Sequence, residues 1–190
     1  MRKSSFRITP HIHIDNSTAS KALEFCILTA TRPNETQGIV WSEVDLAKRV
    51  WVIPAQHMKA GQEHRVPLSP RAIAILRALE AGRTAYNPYV FPGQAKEKGL
   101  TNMAMAAVLK RMKRDAITVH GFRSTLRDWA SEQTSFPHEV CEMALAHVIG
   151  NRAEAAYRRC DLFEKRCLLM DAWQAFVDSK LLAKVLPLKR

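Results

Sequence analysis

Cysteine is scarce and unpatterned in this 190-residue chain. Cys26, Cys141, Cys160 and Cys167 form no C-x-x-C pair and no regular framework. That usage excludes a disulfide-stapled secreted scaffold and fits small packing residues in a reducing, cytoplasmic setting. Long apolar runs are missing as well. None approaches the ~18 residues that argue for a membrane span, and Met1-Arg2-Lys3 is not followed by the apolar stretch of an export signal. His11 and His13 have no carboxylate or cysteine partner at metal-ligand spacing. Internal repeats and low-complexity segments are absent. Acidic residues are few: 18 Asp and Glu stand against 29 Lys and Arg, a net charge of +11. The excess is spread evenly, with 14 basic against 8 acidic residues in the first hundred and 15 against 10 in the remainder. No basic tail therefore explains the charge, and a cationic fold favours a polyanionic partner.

What is present is ordinary globular composition, 47% hydrophobic and 25% charged, long enough to bury one core. Residues 1–18 are an unassigned lead-in, either a stray strand or a frayed entry. Ala22, Leu23, Phe25, Cys26 and Leu28 predict a buried helix over 19–30, with Pro33 restricting its continuation beyond Arg32. Three β-rich runs follow at 38–41, 50–54 and 64–68, which predicts a small antiparallel sheet with Lys59-Ala60-Gly61 in the turn between its last two strands. Ser69 and Pro70 supply an N-cap and first-turn proline for a helix over 72–79. Residues 83–99, with Pro88, Pro92, Gly93 and Gly99, read as a surface connection with Val90 and Phe91 turned inward. Helices are then expected over 101–114, 121–133, 137–146, 152–160 and 162–178.

The last third carries an inventory for phosphodiester chemistry: His120-Gly121-Phe122-Arg123, Leu145-Ala146-His147 with Gly150-Asn151, and Ala156-Tyr157-Arg158-Arg159. His120 and Arg123 lie three apart, so both are expected to project from one helix N-terminus toward a common point. Arg32 and Arg123 can clamp a phosphate, because a guanidinium holds two oxygens at once. Tyr157 offers a phenol of ordinary pKa about 10 that must shed its proton to attack. His120 is the candidate base, Lys59 the candidate donor to the leaving oxygen, and His147 a donor to a non-bridging oxygen. Glu35 orients its neighbours. Taken singly, each has an ordinary reading: a solvated charge, a helix-end arginine complementing the dipole, a half-buried packing tyrosine.

Order and spacing together change this. From about residue 19 to 178 the chain resembles the phage-type integrases of the tyrosine recombinase family. The likeness rests on Leu28-Thr29-Ala30-Thr31-Arg32 with Glu35, Trp41 with Asp45, Met58-Lys59-Ala60-Gly61 with His64-Arg65-Val66-Pro67-Leu68, and the three islands above. Asp161-Leu162-Phe163-Glu164-Lys165-Arg166 is similar to the branch carried by satellite phages and genomic islands. The resemblance implies an α+β, mainly α catalytic domain over 19–178, with a three-stranded antiparallel sheet packed against a helical bundle and a basic, apolar tail over 179–190. It implies Arg32, Lys59, His120, Arg123 and His147 as activating residues and Tyr157 as the nucleophile forming a 3′-phosphotyrosyl link. No cofactor and no metal are expected, since that link conserves the energy of the phosphodiester.

The implied partners are double-stranded DNA attachment sites, further copies of the chain in a synaptic tetramer docked through the tail after Phe176, and DNA-bending accessory proteins; no membrane is involved. Ala30 departs from the pattern, standing where the family has glycine. Residues 1–18 also leave almost no room for the arm-binding and core-binding modules of the family, so a truncated gene, a separate fragment or a domain without its clamp is expected. The competing readings are a remnant that binds DNA without cutting it and a type IB topoisomerase.

Overall fold

The computed structural model describes residues 16–114, 116–147 and 161–182. The chain enters through α1 (Thr18–Thr29), whose first turn is capped by Ser17 Oγ accepting the Ser20 amide. Nearly every residue of α1 from Ala22 onward is buried, so this helix is the axis of the core rather than a surface element. Phe25 meets Trp51 of the sheet and Phe91 of the long connection, with ring centroids 5.8 and 5.5 Å away. Glu24, the one charged residue among the buried positions of α1, is held by Arg71 at 2.6 Å. Cys26 is a packing residue as expected: burial pushes its thiol up to about 11, which removes thiolate reactivity.

α1 ends at Ala30, which adopts a left-handed conformation with φ 50°. An L-residue with a Cβ is strained there by roughly 1–2 kcal/mol, which gives the physical reason for glycine at this place in the family pattern. Ala30→Gly is therefore expected to raise unfolding stability by about 0.5–1 kcal/mol, the strain relieved less the ~0.5–1 kcal/mol of extra chain entropy that glycine loses. Urea denaturation measures it; a destabilised variant would refute the strain argument.

Pro33 starts a second helix directly after α1, with Arg32 at its N-cap. α2 (Pro33–Gly38) has proline in its first turn, and Glu35 Oε2 accepts the Arg32 amide at 2.7 Å. This corrects the expected first strand at 38–41. Gly38 closes α2, Val40 makes only an isolated bridge to Tyr89, and Trp41–Glu43 form one 3₁₀ turn. The apolar run there is buried by packing, not by ladder pairing, and β-propensity does not distinguish the two. The sheet is β1 (Val44–Asp45), β2 (Val50–Ile53) and β3 (His64–Pro67), antiparallel in that order. Trp51 faces Val66 and Ile53 faces His64, and the Lys59 turn joins these two strands as expected.

α3 (Pro70–Glu80) begins after Ser69. That serine occupies the N-cap position, but its hydroxyl is buried and makes no hydrogen bond, so the expected side-chain cap is not formed. Val90 and Phe91 are buried as anticipated. α4 (Ala104–Arg111) and α6 (His138–Ala144) are shorter than the predicted spans, whereas α5 (Gly121–Gln133) matches its span. α7 (Phe163–Leu182) closes the bundle. Trp173 on α7 donates to the Ile27 carbonyl at 2.8 Å, packs at a tilt against Trp129 of α5 and stacks on Phe176, fixing the last helix to the first. The expected helix over 152–160, Cys160, the histidines at 11 and 13 and the tail segment 183–190 lie outside the described residues.

Candidate active site

The C-terminal ends of α1 and α6 meet beside the N-terminus of α5. A helix end leaves backbone carbonyls without intrahelical partners, and these carry the negative end of the helix dipole. Here they are taken by arginine. Arg123, the third residue of α5, is 4% exposed and donates through Nη1 to the Ala30 carbonyl at 2.5 Å and through Nη2 to the Leu145 carbonyl. Arg32 donates through Nη2 to the Ala146 carbonyl at 3.3 Å and through Nη1 to Glu35 Oε1 at 2.6 Å. Ala30 and Ala146, two of the carbonyl acceptors in this network, both have left-handed φ, 50° and 48°, which turns the chain off the helix axis at the site. Burial, and then the neighbouring Arg32 cation, lower the pKa of the Arg123 guanidinium from its usual value.

His147 completes this corner. Its Nε2 lies 3.3 Å from Arg123 Nη2 and its Nδ1 2.8 Å from Glu142 Oε2. A guanidinium only donates, so Nε2 accepts and the ring proton sits on Nδ1, donating to the carboxylate. Glu142 also lies 2.9 Å from Arg127 Nε. It was not legible as a partner of His147 because α6 ends between the two.

A cleft of about 740 Å³ opens beside this corner, with Arg32, Glu35, Lys59 and His120 among its lining residues and Trp51 and Ile53 as apolar wall. Lys59 and His120 are both exposed at it. His120 is the N-cap residue of α5 and is exposed, whereas Arg123, three residues on, is buried. Arg123 and His147 are not lining residues. They join the cleft through Arg32, whose guanidinium reaches the same 145–147 turn. Nor does Arg32 simply complement its own helix end; it bridges from the start of α2 to the end of α6. Tyr157, Gly150 and Asn151 lie outside the described residues.

From Asp161 onward the chain is anchored again. Arg166 of α7 is 2% exposed, donating to the Arg65 carbonyl at 2.7 Å and to Asp161 Oδ2 at 2.8 Å. Arg65 bonds the same Asp161 oxygen at 3.2 Å and lies over the Phe163 ring at 3.9 Å. This cluster is the folded form of the Asp161 to Arg166 stretch. Among the described residues no group of three or more His, Cys, Asp or Glu side chains could hold a metal ion, and no helix is long and apolar enough to cross a membrane.

Residues 7–161 match the family model described as the phage integrase family. The chain is 38% identical over 158 residues to prophage integrase IntA of Escherichia coli K12, covering 80% of this chain and 37% of that protein. It is 29% identical over 164 residues to the integrase of Shigella phage Sf6, covering 85% and 42%, and 29% identical over 174 residues to that of Enterobacteria phage P4, covering 83% and 39%. It thus spans about two fifths of the length of these relatives. In fold it is similar to the integrase from mycobacterium phage Brujita, with a TM-score of 0.62 at 18% identity over 93% of this chain and 60% of that one. A mainly helical domain with a three-stranded antiparallel sheet, the two arginines laced to helix ends beside a lysine turn, and a family match over most of its length place this chain in the phage integrase family.

Proposed function

We propose that this chain breaks and rejoins duplex DNA at attachment sites during site-specific recombination, with residues 19–178 as its catalytic domain. The phenolic oxygen of Tyr157 attacks the scissile phosphorus, its proton passing to His120. The bond from phosphorus to the 5′ oxygen breaks, and Lys59 delivers a proton to that oxygen. The products are a 3′-phosphotyrosyl link and a free 5′-hydroxyl. Rejoining reverses these steps with a 5′-hydroxyl of the partner strand and needs no ATP, because one phosphodiester replaces another.

The observation that carries this reading is the pairing of Arg32 and Arg123 through the carbonyls at residues 30, 145 and 146. Two guanidiniums set by backbone acceptors are preorganised for the charge that develops at a pentacoordinate phosphorus, and such donors are commonly worth about 3–4 kcal/mol each. Burial first, and then repulsion from Arg32, lowers the pKa of Arg123, and an anion between the two cations relieves that repulsion. The net charge of +11 supports a polyanionic substrate, and the integrase relatives support an attachment site as its form. Assembly into a synaptic tetramer through the tail after Phe176, DNA-bending accessory proteins and a cytoplasmic place of action complete the proposal.

A nicked suicide duplex, which loses its short 5′ fragment on cleavage, tests it. The expected result is a protein–DNA adduct that survives denaturation; a duplex bound without any adduct would leave only the binding remnant. A plasmid relaxation assay run beside a two-site exchange assay separates the topoisomerase reading, since recombination requires exchange between two sites.

A further inference from the structure

Lys59 opens a run of exposed residues, 59–63, between β2 and β3. The backbone before it is closely set. The 3₁₀ turn Ala55–His57 is closed by the His57 amide donating to the Pro54 carbonyl at 2.9 Å and the Met58 amide to the Ala55 carbonyl at 3.1 Å. Met58 is buried, and its carbonyl accepts the Gly61 amide at 3.0 Å. His57, two residues before Lys59, reaches sideways out of this turn, and its Nδ1 lies 3.1 Å from Glu43 Oε1. Glu43 and His57 line the same cleft as Lys59, and the chemistry above uses neither.

Glu43 is a firm post for that bond. It ends the 3₁₀ turn Trp41–Glu43, its side chain is 7% exposed, and its other oxygen, Oε2, accepts the Trp51 indole N–H at 3.0 Å. Trp51 is buried on β2 and meets Phe25 of α1. The same α1 ends at the Ala30 carbonyl that accepts Arg123, two residues before Arg32. A carboxylate accepts, so His57 Nδ1 carries the proton in its bond to Glu43. A path of packed and hydrogen-bonded groups thus runs from the helix whose end fixes the phosphate clamp to the turn that bears Lys59.

Resting on the reading that Lys59 protonates the leaving oxygen, we propose that Glu43 and His57 are positioning residues: the buried carboxylate holds the imidazole, and the imidazole holds the turn so that Lys59 meets the 5′ oxygen while the arginines hold the phosphate. Neither touches the reacting atoms. An ammonium on a flexible stem has little geometry of its own, so the turn must supply it. Misplacement of about 1 Å costs on the order of 10²-fold in rate. The His57 side chain is half exposed, and a pair of that kind adds little to overall stability, so His57 can be removed without unfolding the chain.

A suicide duplex with sulfur in place of the bridging 5′ oxygen isolates this role. Tyr157 attacks phosphorus as before, the phosphorus–sulfur bond breaks and its electron pair leaves on sulfur. A thiol has an ordinary pKa of about 8.5, so the thiolate departs without a donated proton. On the oxygen duplex His57→Ala should form adduct about 10²-fold more slowly than wild type, and on the sulfur duplex it should come within about threefold. His57→Asn, whose amide N–H can stand in for Nδ1–H, should recover to within about fivefold on oxygen. Arg123→Lys should stay slow on both duplexes, whereas sulfur should repair Lys59→Ala. A His57→Ala protein as fast as wild type on oxygen, or equally slow on both duplexes, overturns the proposal, as does asparagine no better than alanine. Without DNA, nitrogen-15 NMR should find the neutral His57 ring in its Nδ1–H form and the Lys59 backbone amide less ordered in His57→Ala than in wild type. An Nε2–H ring, or unchanged order at Lys59, overturns the tie. A Lys59→Ala defect that sulfur leaves unrepaired overturns the donor assignment instead, and a wild-type protein without adduct overturns strand cleavage; in either case the NMR comparison still decides whether Glu43 and His57 fix the turn.

Discussion

Arg123→Lys is expected to slow adduct formation on the suicide duplex by about 10²–10³-fold, the range for losing one preorganised donor at a developing oxyanion. The reason lies in what the guanidinium already holds. It spans two carbonyls, at Ala30 and Leu145, and still faces His147. An ammonium is a compact point charge on a flexible stem, without the planar fork that satisfies two acceptors at fixed angles. Lysine would keep the charge and lose the geometry. Arg123→Ala goes further, leaving two buried carbonyls without donors at about 1–3 kcal/mol each. Removing a buried cation beside Arg32 offsets part of that cost. The net loss is expected near 2 kcal/mol, read by urea denaturation, in addition to the loss of rate. An Arg123→Lys protein that cleaves at the wild-type rate would remove the arginine pair from the mechanism.

Tyr157→Phe is expected to eliminate the denaturation-resistant adduct, a fall of more than about 10⁴-fold, because the missing oxygen is the atom that bonds to phosphorus. Affinity for the intact duplex should hold, since the ring and every cation remain. Gel shift and denaturing gel on the same samples read the two quantities. Adduct that persists in Tyr157→Phe would assign the nucleophile to another hydroxyl. The two variants differ in an instructive way. Arg123→Ala lowers stability as well as rate, because its side chain is a structural donor; Tyr157→Phe addresses chemistry alone.

Much of the fold could be read before any coordinates. α5 starts and stops where glycine and the apolar periodicity indicate, α1 is the buried helix its composition predicts, and the Lys59 turn lies between the last two strands. The error at 38–41 came from a tie that local propensity cannot break: Ile39 and Trp41 are buried either way, and only the proline-started helix upstream leaves no room for a strand. The site was legible as an inventory and not as a geometry. Helical spacing places His120 and Arg123 on neighbouring directions, but which one turns inward depends on carbonyls at residues 30 and 145, and carbonyls have no sequence signature. Glu142 escaped as well, because it reaches His147 across a helix end. The exception is Ala30, where a departure from the glycine of the family pattern flagged a special backbone position, and the positive φ there supplies the cause.

The lacing of Arg123 and Arg32 across two helix ends also governs how this corner comes apart. Fraying is ordinarily the private affair of each helix terminus, with little free energy separating open from closed. Here the last turn of α1 cannot loosen without releasing a guanidinium that also holds the turn after α6, and the reverse is equally true. The two termini thus share one opening event, so that a change made at Ala30 is felt at His147 although more than a hundred residues separate them along the chain.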